Sequence, residues 1–442
     1  MSEHELASVE ALIRGRGVEW EIDPTLERIA ALTDMLASPQ RSCPVVHIAG
    51  TNGKSSVARM VDSLFRARGL RTGRYTSPEF ESMRERICVD GVPLSADRFV
   101  EVYRDIEPYV EMVDQKGVRL SFFEVLTAMA FVAFADAPAD VAVLETGMGG
   151  TWDATNVADG TVAVITPVAL DHMAYLGSDV ATIAGEKAGI IKPGATAVIA
   201  QQEIEAAEVL MRRAAETGAV VAREGLEFGV LERVVALGGQ LLTLRGLKGV
   251  YEEVFLPLYG AHQASNAVCA LAAAEALTSG DDPLDIELVR QAFAETSSPG
   301  RLEVVRRDPT VLVDAGHNPA GMRATIEGMY ESFDFAKVIG VVSVMADKDV
   351  EGLLELLEPV LEEVVITRNS SPRAMPAAEL AEIAEDMFGE DRVRLVERFD
   401  DAIDTAIGLA DAEGEFSGTG VLITGSVATA GDARHLLKAD RR

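Results

Sequence analysis

The segment HIAGTNGKSSVARM, His47–Met60, sets two glycines, a lysine and two serines between a short apolar run, Val45–Ala49, and a helix-forming stretch, Val57–Arg68. Glycines let a backbone fold around an anion, and amides at the start of the following helix can donate to its oxygens. Gly50, Thr51, Asn52 and Gly53 would make such a loop. Lys54 would neutralise β/γ-phosphate charge, and Ser55 or Ser56 could reach a phosphate or its magnesium. The spacing is not the full GxxxxGK[ST], because Ile48 stands where its first glycine would be. A glycine-rich turn with a chance lysine is the competing reading. The strand before and the helix after favour phosphate binding.

Further chemistry-bearing residues follow apolar runs. Glu145, in LETGMGGTWDATN, closes the run that begins at Val141, where ligands bind in open parallel sheets; a carboxylate there suits magnesium, which prefers oxygen. A helix-capping or loop carboxylate is the alternative. Asp171 and His172 follow the run Val162–Thr166 and should reach the same sheet edge. Lys187 lies in a short helical stretch between small residues, where a surface lysine is the plainer reading. Asn266 sits near the start of the small-residue helix in YGAHQASNAVCALAAAEAL, while Arg301, Asp314 and His317 flank a later strand and loop. Asn could read an adenine edge, Arg a phosphate, and Asp a ribose or an amine.

The positioning elements alternate. Residues 5–15 and 24–37 read as amphipathic helices, and strands are expected at Val45–Ala49, Val141–Leu144, Val162–Thr166 and Thr196–Ala200. Helices fall between them, notably Phe122–Ala135 and Met211–Thr217. This order predicts an α/β fold with a mostly parallel sheet. Residues 226–258 break the pattern with a hairpin turning at Gly238-Gly239. After a hinge-like SSPGR at 297–301 the alternation restarts, from Val311–Asp314 to the strand Gly420–Gly425 and the helix Val427–Leu437. Two domains are expected, 1–298 and 299–442.

Composition excludes several classes. A net charge of −31 over 442 residues repels nucleic acid and anionic lipid. Cys43, Cys88 and Cys269 are far apart and odd in number, with no zinc-type spacing, which reads as buried thiols in a reducing cytosol. The N-terminus lacks an apolar signal-peptide core, and no apolar run approaches the roughly 20 residues of a membrane span. A cytoplasmic protein is expected.

Taken together, GTNGKSS, TSPEFESMRERI, ETGMGGTWDATN, the DH…LG…IAGEKAGIIKPG stretch, HQASNA and DAGHNP resemble the folylpolyglutamate synthase/dihydrofolate synthase family of the Mur ligase superfamily. The resemblance runs from IDPTLERI to the C-terminal ITGS. It implies a P-loop central domain, a smaller Rossmann-like C-terminal domain, and ATP-dependent ligation of L-glutamate to a dihydropteroate or reduced-folate carboxylate through an acyl phosphate. It further implies ATP and two Mg²⁺ ions, with Ser77, Glu145 and His172 as metal ligands and Lys187 as a carbamylated lysine serving the same metals. Lys54, Lys187 and His172 become catalytic. Gly50 to Ser56, Asn266, Arg301, Asp314 and His317 fall on the nucleotide side, and Phe123, Asp153 and Ala154 match pterin-contacting positions. The expected partners are small molecules only, and the expected state is a monomer.

Two departures bear on substrate preference. Family members often carry SPHL where this chain has Ser77-Pro78-Glu79-Phe80, and an arginine and a leucine where it has Thr151 and Trp152. The rivals are a Mur-type peptidoglycan-precursor ligase and a non-catalytic nucleotide switch. The first normally has a further N-terminal domain, for which the about 40 residues before Val45 are too few. The second would not need the whole Ser77, Glu145, His172 and Lys187 set.

Overall fold

The structure, a computed structural model, describes residues 3–17, 24–117, 119–412, 414 and 418–439. Ile22 and Asp23 of the IDPTLERI segment lie outside them. The chain divides into two compact units. The first comprises Met1–Arg233, Leu241–Leu256 and Ala264–Thr296, and the second Val234–Gln240, Pro257–Gln263 and Ser297–Arg442.

The first unit holds an eight-stranded sheet: β1 (Val45–Ala49), β2 (Thr72–Tyr75), β3 (Ile87–Val89), β4 (Val92–Pro93), β5 (Val141–Glu145), β6 (Gly160–Ile165), β7 (Thr196–Ile199) and β8 (Val220–Arg223). Its order is β4-β3-β2-β5-β1-β6-β7-β8. The pairs from β2 through β8 are parallel, and β3 and β4 add an antiparallel edge. β1 is thus central and fully buried, as a strand that is apolar on either side of His47 requires. The register pairs Ile48 with Glu145 on one side and Ala49 with Ile165 on the other. The C-terminal ends of β5 and β6 therefore flank the loop that leaves β1.

Two cores support this edge. Ala142 and Leu144 of β5 pack with Phe99, Val102, Val125 and Met129 from helices Ala96–Asp114 and Phe122–Asp136. The latter helix opens on a reciprocal capping box between Ser121 and Glu124. Ile165 and Ile199 pack with Ile183 and Leu210 from helices Val180–Lys187 and Ile204–Thr217. Elements outside the sequence-derived set include β2 to β4, β8 and the 19-residue helix Ala96–Asp114.

A separate three-stranded sheet contains β9 (Gly229–Ala236), β10 (Gly239–Arg245) and β11 (Val250–Leu256). Its first hairpin turns at Leu237-Gly238, one residue earlier than expected. Gly238 supplies the left-handed conformation there (φ 81°), which leaves Gly239 free to begin β10.

The second unit holds a six-stranded sheet of β12 (Glu303–Arg307), β13 (Thr310–Val313), β14 (Lys337–Val342), β15 (Glu363–Ile366), β16 (Val393–Leu395) and β17 (Thr419–Thr424), in the order β12-β13-β17-β14-β15-β16. Only β12 runs antiparallel to its neighbour. Leu312, Val342, Leu422 and Leu354 lie in its core. Among the described residues no helix is long and apolar enough to cross a membrane.

Candidate active site

The loop Gly50–Gly53 takes its shape from glycine conformations and tight neighbours. Gly50 and Gly53 have φ of 152° and 89°. A Cβ on Gly50 would fall 1.8 Å from Thr166 Oγ1, and one on Gly53 would fall 2.4 Å from Asn266 Oδ1. Gly50 therefore has no room for a side chain, one at Gly53 would force the loop or Asn266 to shift, and Asn266 is brought against the loop. Thr51 N donates to Pro167 O at 3.0 Å, while the Thr51 hydroxyl donates to Ala169 O and accepts from Ala169 N, each at 3.0 Å. Asn52 N also faces Pro167 O, at 3.4 Å. The amide and hydroxyl of Thr51 are thus committed to the 166–169 segment and tie the loop to the end of β6. Gln202, which nothing in the sequence singled out, braces that segment by accepting from Val168 N at 3.0 Å and donating to Thr166 O at 3.1 Å.

Helix Lys54–Ala67 begins at Gly53 and carries Lys54, Ser55 and Ser56 in its first turn. Lys54 Nζ donates to the carbonyls of Gly50 and Thr51, both at 3.1 Å. Glu145, the last residue of β5, is buried; its carboxylate accepts from Ser55 Oγ at 2.8 Å and from Ser77 N at 3.3 Å. Ser77, Glu145 and the phosphate-type loop therefore meet, as the strand order predicts.

Lys187, the last residue of helix Val180–Lys187, is buried and donates to Gly50 O at 2.8 Å. Burial first, and then the Lys54 charge, push its pKa down to about 7; Asp171, Asp153 and Glu186 oppose the shift. The surface-lysine reading fails on this burial. His172 adopts a left-handed backbone (φ 51°), with its N–H donating to Asp171 Oδ1 at 2.8 Å. That turn starts the short helix Met173–Leu176.

Phe123 lies 5.7 Å from Tyr75, centroid to centroid. A Cβ on Gly147 would come within 2.6 Å of the Phe123 ring, so the loop after β5 rests on that ring. Asp153 is buried in the same loop and Ala154 follows it. The Asp153 carboxylate accepts from Met148 N at 2.9 Å, Thr155 N at 3.0 Å and Thr155 Oγ1 at 2.5 Å. Three donors engage both oxygens of this carboxylate, which has roughly four lone-pair sites. Asp153 here ties its own loop. Burial raises its pKa against those hydrogen bonds.

The departures also find places. The Glu79 carboxylate pairs with the buried Arg86 guanidinium and, at 3.5 Å, with Arg14. Burial alone would raise the Glu79 carboxyl, but Arg86 and Arg14 hold it below its ordinary value. Thr151 fits against helix Val180–Lys187, its N–H donating to Glu186 O at 3.0 Å, and a Cβ on Gly189 would strike Thr151 Oγ1 at 2.2 Å.

Arg301, Asp314 and His317 belong to the second unit. Asp314, just past β13, accepts from Leu302 N (2.9 Å), Gly316 N (2.8 Å) and Thr325 Oγ1 (2.6 Å). His317 Nδ1 lies 3.0 Å from Ala315 O. Asp314 thus organises the turn that carries Arg301 on one side and His317 on the other. Among the described residues no group of three or more His, Cys, Asp or Glu side chains is gathered as a metal site. The Ser77, Glu145 and His172 set contains only two such residues.

Known proteins share this fold. Residues 48–274 match the Mur ligase middle domain and residues 300–427 the Mur ligase glutamate ligase domain. Dihydrofolate synthase/folylpolyglutamate synthase of Mycobacterium tuberculosis is 53% identical over 459 residues, covering 98% of this chain and 94% of that one. The structure of Mycobacterium tuberculosis folylpolyglutamate synthase complexed with ADP superposes with a TM-score of 0.94 at 54% identity, covering 98% of both chains. That of E. coli FolC in complex with DHPP and ADP gives a TM-score of 0.85 at 29% identity, covering 99% of this chain and 98% of that one. The fold and the two domain matches define an acid–amino-acid ligase of the Mur type. Within that class the chain belongs to the folylpolyglutamate synthase/dihydrofolate synthase family.

Proposed function

We propose that this enzyme uses ATP to join L-glutamate to the carboxylate of a dihydropteroate or reduced folate. The carboxylate attacks the ATP γ-phosphorus, ADP leaves, and the glutamate amine then displaces phosphate from the acyl phosphate. A free carboxylate is a poor electrophile, and this activation is what makes the amide accessible. The observation that carries the reading is the convergence of Lys54, Lys187 and Glu145 on one phosphate-type loop.

Lys54 and the first-turn amides of its helix bind the transferring phosphoryl group and stabilise charge that grows on its oxygens. Glu145 is a buried carboxylate met by a hydroxyl and an amide, a donor set that suits a hard, oxygen-seeking cation. Ser77, Glu145 and His172 would hold Mg²⁺, with Lys187 as a carbamate completing the set; when bound, the metal supplies charge neutralisation at the phosphate oxygens. Phe123, Ala154 and the loop around Asp153 meet the pterin ring. Asn266 contributes to the nucleotide side, as do Arg301, Asp314 and His317 from the C-terminal domain, which we place at 299–442 after an ATP-binding domain at 1–298.

Purified protein with ATP, magnesium and glutamate should yield a product one glutamate heavier by mass spectrometry when offered dihydropteroate or tetrahydrofolate. Lys54→Ala should lower that rate about 10²–10³-fold without lowering the melting temperature. Phosphate release that ignores both pteroate and glutamate would overturn the reading.

A further inference from the structure

His47 lies in the middle of β1 with no exposure, and its Nε2 is 2.8 Å from Thr155 Oγ1. Thr155 is equally buried and donates its hydroxyl proton to Asp153 Oδ1. A threonine hydroxyl has one proton to give, so toward His47 it can only accept. That requires His47 to carry its proton on Nε2. Nδ1 agrees, since among the described residues it has no hydrogen-bond partner. The reverse arrangement would need a protonated Asp153 donating to Thr155, Thr155 donating to His47, and an N–H on Nδ1 buried without an acceptor. An orphaned buried N–H is rarer and costlier than an unused lone pair.

We propose that His47, as the neutral Nε2–H tautomer, is a positioning residue for the substrate ring: through Thr155 and Asp153 it fixes the Gly147–Ala154 loop against Phe123. Asp153 is the hub, because its three donors join Met148 and Thr155 into one closed turn. Gly147 is the point at which that turn meets the Phe123 ring. His47 touches no ligand itself. Its relay specifies where the loop stands and hence the shape of the ring pocket. The inference rests on the reading that Phe123 and this loop receive the pterin.

Three variants of the full-length enzyme test it. His47→Leu removes the donor and Thr155→Val removes the relay hydroxyl, while His47→Gln keeps an N–H that can reach Thr155. The leucine and valine variants should each raise the KM for dihydropteroate about five- to tenfold and leave the KM for ATP unchanged. The double variant should be no worse than either single one, because both break the same connection. His47→Gln should restore most of the loss. In ¹⁵N-histidine spectra, with the six histidines sorted by the loss of one signal set in His47→Gln, His47 should show an unprotonated Nδ1 and a protonated Nε2. Additive single effects, an equal rise in the ATP KM, or an Nδ1–H tautomer would overturn the relay. Phe123→Ala separates the two ideas. If it raises the dihydropteroate KM and His47→Leu does not, the relay fails alone. If His47→Leu raises it and Phe123→Ala does not, the ring-stacking role of Phe123 fails and the relay stands.

Discussion

Lys54 and Lys187 share one acceptor, the Gly50 carbonyl, at 3.1 Å and 2.8 Å. Burial disfavours the Lys187 ammonium most, and the Lys54 charge converging on the same oxygen adds to it, so the Lys187 pKa falls to about 7. A substantial neutral fraction then exists near neutral pH, and only the neutral amine adds CO₂. Enzyme depleted of CO₂ should therefore gain activity when bicarbonate is added, and the gain should grow as pH rises through about 7. Lys187→Ala should be inactive and partly rescued by acetate or formate. Activity indifferent to bicarbonate, with no rescue by small acids, would leave Lys187 a structural cation.

Gly53 and Gly69 both adopt left-handed backbone, at φ 89° and 77°, but only Gly53 is crowded. A methyl group on Gly69 meets nothing within 4 Å, whereas on Gly53 it strikes Asn266 Oδ1 at 2.4 Å. Gly69→Ala should cost about 1 kcal/mol of stability from backbone strain and keep full activity. Gly53→Ala should also lose ATP binding, because either the loop or Asn266 must move. Calorimetric titration with ADP on both variants checks this, and equal affinities would remove Asn266 from the loop's neighbourhood.

Glu79 compensates a cation that is otherwise sealed in. Arg86 is buried, stacks over the Phe122 ring at 5.0 Å, and is paired to Glu79. Glu79→Gln removes a charged partner of that buried guanidinium, and the expected loss is a few kcal/mol, up to about 3–5, read from urea unfolding. Because the folded-state pKa of Glu79 is depressed, its contribution is present above the unfolded carboxyl pKa and is lost as pH falls. The stability difference between wild type and variant should accordingly shrink in acid.

His47 should make the protein acid-sensitive over a higher window. Burial, with a smaller push from Lys192, lowers its pKa from 6.5 to about 3. Between those values the unfolded chain binds a proton that the folded chain refuses. Stability should then fall with decreasing pH, by up to roughly 1.4 kcal/mol per pH unit from this group. His47→Gln should flatten that slope between pH 6.5 and about 3. Parallel acid-unfolding curves for the two proteins would contradict the buried neutral imidazole.

Much of the site was legible because its residues sit at element ends. The loop Gly50–Lys54 lies between a strand and a helix, and Glu145 closes an apolar run, so both could be placed on a sheet edge before the sheet was known. That β5 and β6 flank β1 could not be read locally, since pairing is set by packing between segments roughly a hundred residues apart. The His47–Thr155 contact spans 108 residues and gives no local signal. Helix Ala96–Asp114 is obscured by Pro108 within it, although Phe99, Val102, Tyr103, Ile106 and Val110 keep helical spacing. Asp153 shows the limit of assigning roles by position alone: its place in the loop was legible, but not that its own loop occupies its oxygens.

The central claim is that a substrate carboxylate is activated by phosphoryl transfer, and one isotope experiment tests it most directly. Dihydropteroate labelled with heavy oxygen in its benzoate carboxylate is turned over with ATP and glutamate, and the inorganic phosphate is analysed by mass spectrometry. Attack of the carboxylate on the γ-phosphorus, followed by displacement by the amine, must leave one labelled oxygen in the phosphate. One heavy oxygen per turnover, lost together with product in Lys54→Ala, is the result expected. Amide product accompanied by unlabelled phosphate would contradict the acyl-phosphate account.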